Sequence, residues 1–283
     1  MRFIGKTIQF LRQNFFYLLF FNAVPVCMLA AVNVMPADAE SNVLGWSLTA
    51  LILDAFRGQT FEGGMFESLT LIFKPLSWFR VLSLFVLVLA LALTLSYCDR
   101  KMRVGISSLQ KPFLKLNETI LISLLFLFLL VAVYELVAFV FCSMADLALA
   151  QIADGVWRGI AALLCVLLVM IVYSLWPTLL VTFPANNLIL GYSVKEAFSV
   201  SVKSAQGHFF RIWFGLVFPV LICLPLLTLS GLLPDYLFFF RLFVYIVCYL
   251  FFITYWECFF MVSYFEISGR ERADLKRIIP YGL

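Results

Sequence analysis

The chain has one histidine, His208, and no C-x-x-C pair among its seven cysteines. A single imidazole excludes the two-histidine zinc helix. A zinc knuckle or a disulfide framework needs closely spaced loop cysteines, whereas Cys27, Cys98, Cys142, Cys165, Cys223, Cys248 and Cys258 lie in or at the end of apolar runs. They are expected as small apolar packing residues. The sequence has no G-x-S-x-G nucleophile elbow, no G-x-x-x-x-G-K-[ST] phosphate cradle and no close acidic cluster for a divalent ion. The expectation is a non-enzymatic protein with no metal and no cofactor.

Charge is also scarce. Charged residues make up 13% of the chain and hydrophobic residues 64%, with a mean hydropathy of +1.04. A soluble domain carries about 25% charge and roughly 45–50% apolar residues. The apolar excess must face lipid. The net charge of +4 is small and scattered, which argues against nucleic acid as a partner; membrane lipids, other membrane proteins or a second copy of the chain fit better.

What the sequence does have is long apolar runs. Six are of spanning length or close to it, roughly Phe15–Met35, Phe79–Tyr97, Ile120–Met144, Ile160–Phe183, Phe210–Leu233 and Leu237–Ser263. In hydrocarbon each segment must satisfy its own backbone, so runs of this length are helices. The expected fold is an all-α polytopic bundle of six transmembrane helices, a single membrane domain over 1–283. Fifteen of the 20 basic residues fall in the N-terminus, the second and fourth loops and the C-terminal tail. By the positive-inside rule those segments are cytoplasmic, giving a multi-pass protein of the bacterial inner membrane with both termini inside. Ala37-Asp38-Ala39 after the first run resembles a signal-peptide cleavage site, but the run is longer than a usual h-region, so an uncleaved first helix is expected. The long outer loop, 36–78, holds two short helical stretches, Val43–Phe56 and Met65–Lys74, with Gly63-Gly64 between them.

A short amphipathic stretch precedes the first, third and fifth spans. The clearest is Ser193–Gly207, where Ser193 and Glu196 form an S-x-x-E capping box. Val194, Ala197, Phe198, Val202 and Ala205 make one stripe, with Lys195 and Lys203 off it. The N-terminal copy sets Phe3, Ile4, Ile8 and Leu11 against Arg2, Lys6, Gln9 and Arg12; the middle copy, Ile106–Leu116, is interrupted by Pro112. Such helices lie in the membrane plane with their cations at the headgroups. Lys195, Lys203, His208 and Arg211 are the expected headgroup contacts. Pro25 and Pro219 fall at matching positions in the spans that follow, and paired interruptions of this kind point to a central site. The whole reads as three tandem units, each an in-plane helix and a hairpin.

The stretch Ser193-Val194-Lys195-Glu196-Ala197-Phe198 through Gly207, the proline-containing span after it and the closing Tyr264-Phe265-Glu266 resemble a group of six-span bacterial membrane proteins. That group includes the membrane domain attached to some glycerophosphoryl diester phosphodiesterases. The resemblance covers about the last third of the chain and implies the six-span fold. The soluble phosphodiesterase domain has no counterpart here, so its activity is not implied.

Two carboxylates sit inside spans, Glu135 and Glu257. An ionisable group at that depth faces the bundle interior and marks either a pathway or a helix–helix bond. Pro177, Pro219 and Pro225 free backbone carbonyls near the midplane, lining a cavity or kinking a helix. The leading expectation is a scaffold, assembly or regulatory protein; the alternative is a transporter or channel-like protein with Glu135 and Glu257 in a polar path.

Overall fold

The computed structural model describes residues 2–34, 78–104, 116–152, 155–231, 233 and 235–275. The outer-loop helices, the Ala37–Ala39 motif and nearly all of the middle amphipathic stretch lie outside them. The described residues form nine α-helices and two short 3₁₀ turns. We number the helices α1 (Arg2–Gln13), α2 (Phe15–Val34), α3 (Trp78–Val104), α4 (Leu116–Leu149), α5 (Gly155–Leu179), α6 (Phe183–Leu190), α7 (Val194–Gln206), α8 (Phe209–Gly231) and α9 (Phe238–Ser268).

Four stretches are long and apolar enough to cross a membrane, Asn117–Leu149, Gly155–Leu190, Phe209–Leu227 and Phe238–Ser268. A fifth arises if α1 and α2 count as one span, bent by 88°. The 27-residue α3 is largely apolar from Val81 to Tyr97 and ends in the charged run Asp99–Arg103.

Six long helices close into a ring. Each of α2, α3, α4, α5 and α8 packs against the next, α8 against α9, and α9 returns to α2 while also touching α3. Short connections force the antiparallel neighbours α4/α5 and α8/α9. The ring is filled with aromatic and aliphatic side chains. Phe126 of α4 stacks on Phe183 at 6.0 Å between centroids and meets Phe260 of α9 edge-on at 4.9 Å. Phe126, Phe183, Leu95, Leu180 and Val181 are fully buried.

Two local breaks shape the basic end. The bend between α1 and α2 falls at Asn14, whose side chain donates to the Phe10 carbonyl at 2.9 Å, capping the end of α1. The second break lies between α5 and α6. Pro184, in the first turn of α6, has no N–H to offer the Leu180 carbonyl. The carbonyl freed at Leu179 accepts from the Ser201 hydroxyl of α7 at 2.8 Å. Beyond the break α6 packs against α3, α4, α7 and α9. It stops at Gly191 with φ 66°, a left-handed conformation that glycine adopts without a Cβ clash.

In α7 the capping box is present: the Ser193 backbone N–H donates to Glu196 Oε2 at 3.1 Å, and the Glu196 N–H donates to Ser193 Oγ at 3.4 Å. Its buried face is Ala197, Ser201 and Ala205. Val194, assigned to that stripe from the sequence, is exposed, because at N1 it lies beyond the surface α6 covers. In α1 the buried line is Phe3, Thr7 and Phe10, continued by Asn14 at the bend, whereas Ile8 is exposed. Thr7 tolerates burial by donating to the Phe3 carbonyl at 2.9 Å. Gly207 ends α7 with right-handed backbone, φ −73°, and His208 carries the turn into α8.

Close approach of α8 to α9 depends on Gly215. A Cβ there would meet two ring atoms of Phe259 at 2.4 Å. Phe259 cannot easily withdraw, since it is fully buried and stacked on Tyr255 at 5.7 Å.

Candidate polar centre of the helical ring

Glu257 lies in α9, 4% exposed, among residues that are otherwise mostly apolar. The Asn22 carboxamide of α2 donates to its Oε2 at 2.8 Å. The same nitrogen reaches Thr94 Oγ1 of α3 and the Leu18 carbonyl, each at 3.2 Å. An amide nitrogen carries two hydrogens, so three acceptors compete for two donors. On the other branches of the two side chains, Glu257 Oε1 and Asn22 Oδ1 have no hydrogen-bond partner. Three helices contribute one polar residue each, and Asn22 and Thr94 are fully buried.

The cluster sits at one depth. Asn22 is eight residues past the bend at Asn14, Glu257 eleven before Ser268 and Thr94 ten before Val104. At a rise of 1.5 Å per residue these offsets are about 12, 16 and 15 Å. The cluster is therefore well inside the ring, measured from the basic end.

Toward that end the polar contacts continue. The Tyr97 hydroxyl donates to Asn14 Oδ1 at 2.7 Å, and its ring stacks on Tyr17 at 5.2 Å. Lys6 of α1 forms an ion pair with Glu266 near the end of α9. Arg272 and Asp274 form a bidentate pair, Nε to Oδ1 at 3.1 Å and Nη2 to Oδ2 at 2.6 Å. Their side chains are 2% and 1% exposed, and the guanidinium lies 5.5 Å over the Phe10 ring. The 3₁₀ turn Ala273–Leu275 packs on α3, so this segment folds back beneath the ring. Lys6, Glu266, Arg270, Glu271 and Arg272 line a surface depression of about 480 Å³.

Glu135 is also buried, 5% exposed, in a different part of the bundle. Its neighbour Tyr134 packs edge-on against Tyr173 of α5 at 5.2 Å, in a cluster with Ala138, Cys142 and Val169. The residues around Glu257, including Tyr255, Cys258 and Phe259, belong to the main core instead. The two carboxylates do not share a packing cluster.

The three prolines differ in setting. Pro177 is buried in α5 beside a polar knot, in which Trp213 Nε1 of α8 donates to Ser174 Oγ at 2.7 Å and Thr178 Oγ1 donates to the Ser174 carbonyl at 2.8 Å. Pro219 is buried in α8, and Trp256 Nε1 of α9 donates to the Leu216 carbonyl three residues before it, at 3.0 Å. Both knots hold side chains across helix pairs. Pro225 is exposed on the outside of α8. Lys195, Lys203 and Arg211 are exposed, and His208 is half-buried against Phe3, 6.2 Å between ring centroids.

Asn22, Thr94 and the Arg272–Asp274 pair were not singled out from the sequence. Asn22 was legible, since an amide in an apolar run needs a partner. Thr94 and Arg272 carried no such signal; one is a common residue in membrane helices and the other sits in a basic tail. No family model, no curated protein and no solved structure matches this chain.

Proposed function

We propose that the chain is a six-span, non-enzymatic membrane protein that serves as a scaffold, assembly or regulatory partner for other proteins in the bilayer. The packed interior carries this reading. Phe126, Phe183 and Phe260 interlock at the centre of the ring, and the tryptophan N–H bonds beside Pro177 and Pro219, to the Ser174 hydroxyl and the Leu216 carbonyl, tie helices together. In this reading Asn22, Thr94 and Glu257 are a three-helix clasp. Polar bonds of this kind add specificity between helices that the hydrophobic effect cannot hold together in lipid.

The termini and the basic loops lie on the cytoplasmic face. There α1, at 88° to α2, and α7 lie in the membrane plane, with Lys195, Lys203 and Arg211 toward phospholipid headgroups. The same six-span arrangement is what the resemblance to phosphodiesterase-linked membrane domains implies.

A second reading, transport, has one specific observation in its favour. Glu257 Oε1 and Asn22 Oδ1 are buried polar atoms without a partner, and such atoms are where ions or protons bind. Purified protein reconstituted in proteoliposomes separates the two. A scaffold gives proton and alkali-cation leak equal to empty vesicles for the wild type and Glu257→Gln alike. A flux present in the wild type and lost in Glu257→Gln overturns the first reading in favour of the second.

A further inference from the structure

The depression of about 480 Å³ at the basic end is walled by charges of both signs. Its volume falls within the range of small-ligand sites, about 300–1,000 Å³. Lys6, Arg270 and Arg272 supply the cations, and Glu266 and Glu271 the carboxylates. Two of these cations are already engaged, Lys6 with Glu266 and Arg272 with Asp274. Arg270 and Glu271 are exposed, and Arg270 forms no ion pair with a described residue. Its guanidinium instead lies over the Tyr264 ring, 5.7 Å from the centroid.

Two buried polar atoms at this end have no hydrogen-bond partner, Arg272 Nη1 and the Tyr264 hydroxyl. Each residue is 4% exposed. A guanidinium only donates, and a phenol donates as well as accepts. Each therefore has a proton to give and no acceptor within the protein. Buried groups left in this way are uncommon and mark a place where a water, an ion or a ligand completes the bonding. Arg272 is part of the lining and Tyr264 lies under Arg270, so both donors adjoin the depression. Depth favours a lipid as the source of the acceptor. The apolar stretch Phe238–Ser268 ends at Gly269, which itself lines the depression. Residues that directly follow a spanning helix lie at headgroup level. Phe265 and Leu275 add an apolar wall, with Leu275 40% exposed.

We propose that this depression binds the headgroup of a zwitterionic phospholipid that carries a primary ammonium, a phosphoethanolamine. The phosphate accepts from Arg270, Arg272 Nη1 and the Tyr264 hydroxyl. Guanidinium groups suit phosphate oxygens in both charge and geometry. The ammonium donates to the Glu271 carboxylate, with Glu266 adding a second negative charge to the wall. A purely anionic headgroup meets these two carboxylates with repulsion, and a choline headgroup has no N–H to give them. The glycerol end rests on Phe265 and Leu275. This site is separate from the polar centre at Glu257, and its test reads binding rather than flux.

The test titrates the full chain, in a neutral detergent, with phosphatidylethanolamine, phosphatidylcholine and phosphatidylglycerol of identical acyl chains, and counts bound lipid by native mass spectrometry. Phosphatidylethanolamine is expected to bind about tenfold more tightly than either of the others, the worth of one charge-assisted hydrogen bond. Arg270→Ala and Glu271→Gln should each remove that preference. Glu271→Lys should turn it toward phosphatidylglycerol, a gain that misfolding cannot produce. Water-soluble glycerophosphoethanolamine separates the two sources of the same chemistry. At equal concentration it is expected not to displace the lipid; displacement would move the site to a soluble ester and overturn the lipid assignment. Equal affinity for the three lipids, or a preference that all three variants retain, overturns the proposal.

Discussion

Asn22 and Glu257, 235 positions apart, are joined by a 2.8 Å hydrogen bond from carboxamide to carboxylate. The bond ties α2 to α9, the two helices that close the ring. Interhelical polar bonds in membranes contribute roughly 1–2 kcal/mol in model peptides. Asn22→Val is expected to lower unfolding stability in detergent by about that amount. Glu257→Gln keeps an acceptor for the Asn22 N–H and is expected to cost less than Glu257→Ala. The ordering of the two Glu257 variants is checked by thermal unfolding followed through tryptophan fluorescence. Equal losses for both would mean that the hydrogen bond contributes nothing to closure.

The α8–α9 contact supplies a second expectation. With two Phe259 ring atoms 2.4 Å from a hypothetical Cβ, Gly215→Leu overpacks the interface. Overpacking of a filled core costs about 1–3 kcal/mol. Phe259→Ala opens space at the same point, so the double variant should be less destabilised than the sum of the two single ones. Strict additivity would remove Gly215 from that interface.

At the basic end, Asp274→Ala leaves the Arg272 guanidinium buried without its carboxylate. Breaking one side of a buried ion pair costs roughly 3–5 kcal/mol. The 3₁₀ turn should then lift away from α3, and limited trypsin digestion should cut after Arg272 in the variant and not in the wild type. Because the pair is so little exposed, raising the salt concentration should change the wild-type pattern little. Equal cutting of both proteins would show that the turn is not held down by this pair.

The capping box of α7 sets a pH dependence. The Ser193 hydroxyl and the Ser193 backbone N–H bond the Glu196 carboxylate and hold it below its ordinary value of 4.5. A carboxyl lowered on folding stabilises the helix end above the ordinary value, and that contribution is lost as pH falls through the lowered one. Amide exchange at the first turn of α7 should stay slow from pH 8 down to about 5, after correction for intrinsic rates, and quicken under more acidic conditions. Glutamine also serves in a capping box, so Glu196→Gln should remove the pH dependence while keeping most of the protection. Unchanged acid loosening in that variant would assign it to another group.

Much of the helical architecture was legible because apolar runs of this length have few backbone solutions other than helix. Apolar length marked the long helices, and Ser193 with Glu196 marked the start of α7. Boundaries were less legible: the run 160–183 was expected as one span, and the spanning stretch is longer, Gly155–Leu190, with a local break after Leu179 before α6. Pro184 was visible, but the Ser201 hydroxyl that stabilises the break comes from a later helix. The site was half legible for the same reason. Glu257 stood out as a charge in an apolar run, whereas Thr94 became part of its setting only through packing of α3 against α9. Glu135 and Glu257 were paired in the alternative reading by chemistry alone; packing assigns their surroundings to separate clusters.

Thr94 offers the most direct test of a closed interior, since it lies beside Asn22 at the level of Glu257. Thr94→Cys, placed in a Cys27→Ser background so that the one exposed native thiol is absent, can be treated in sealed proteoliposomes with a membrane-impermeant methanethiosulfonate from either side and read by mass spectrometry. The expected result is no more modification than in the Cys27→Ser parent from either face. Rapid modification of the new thiol from one face would reveal a water-filled path to the polar centre and contradict the scaffold reading.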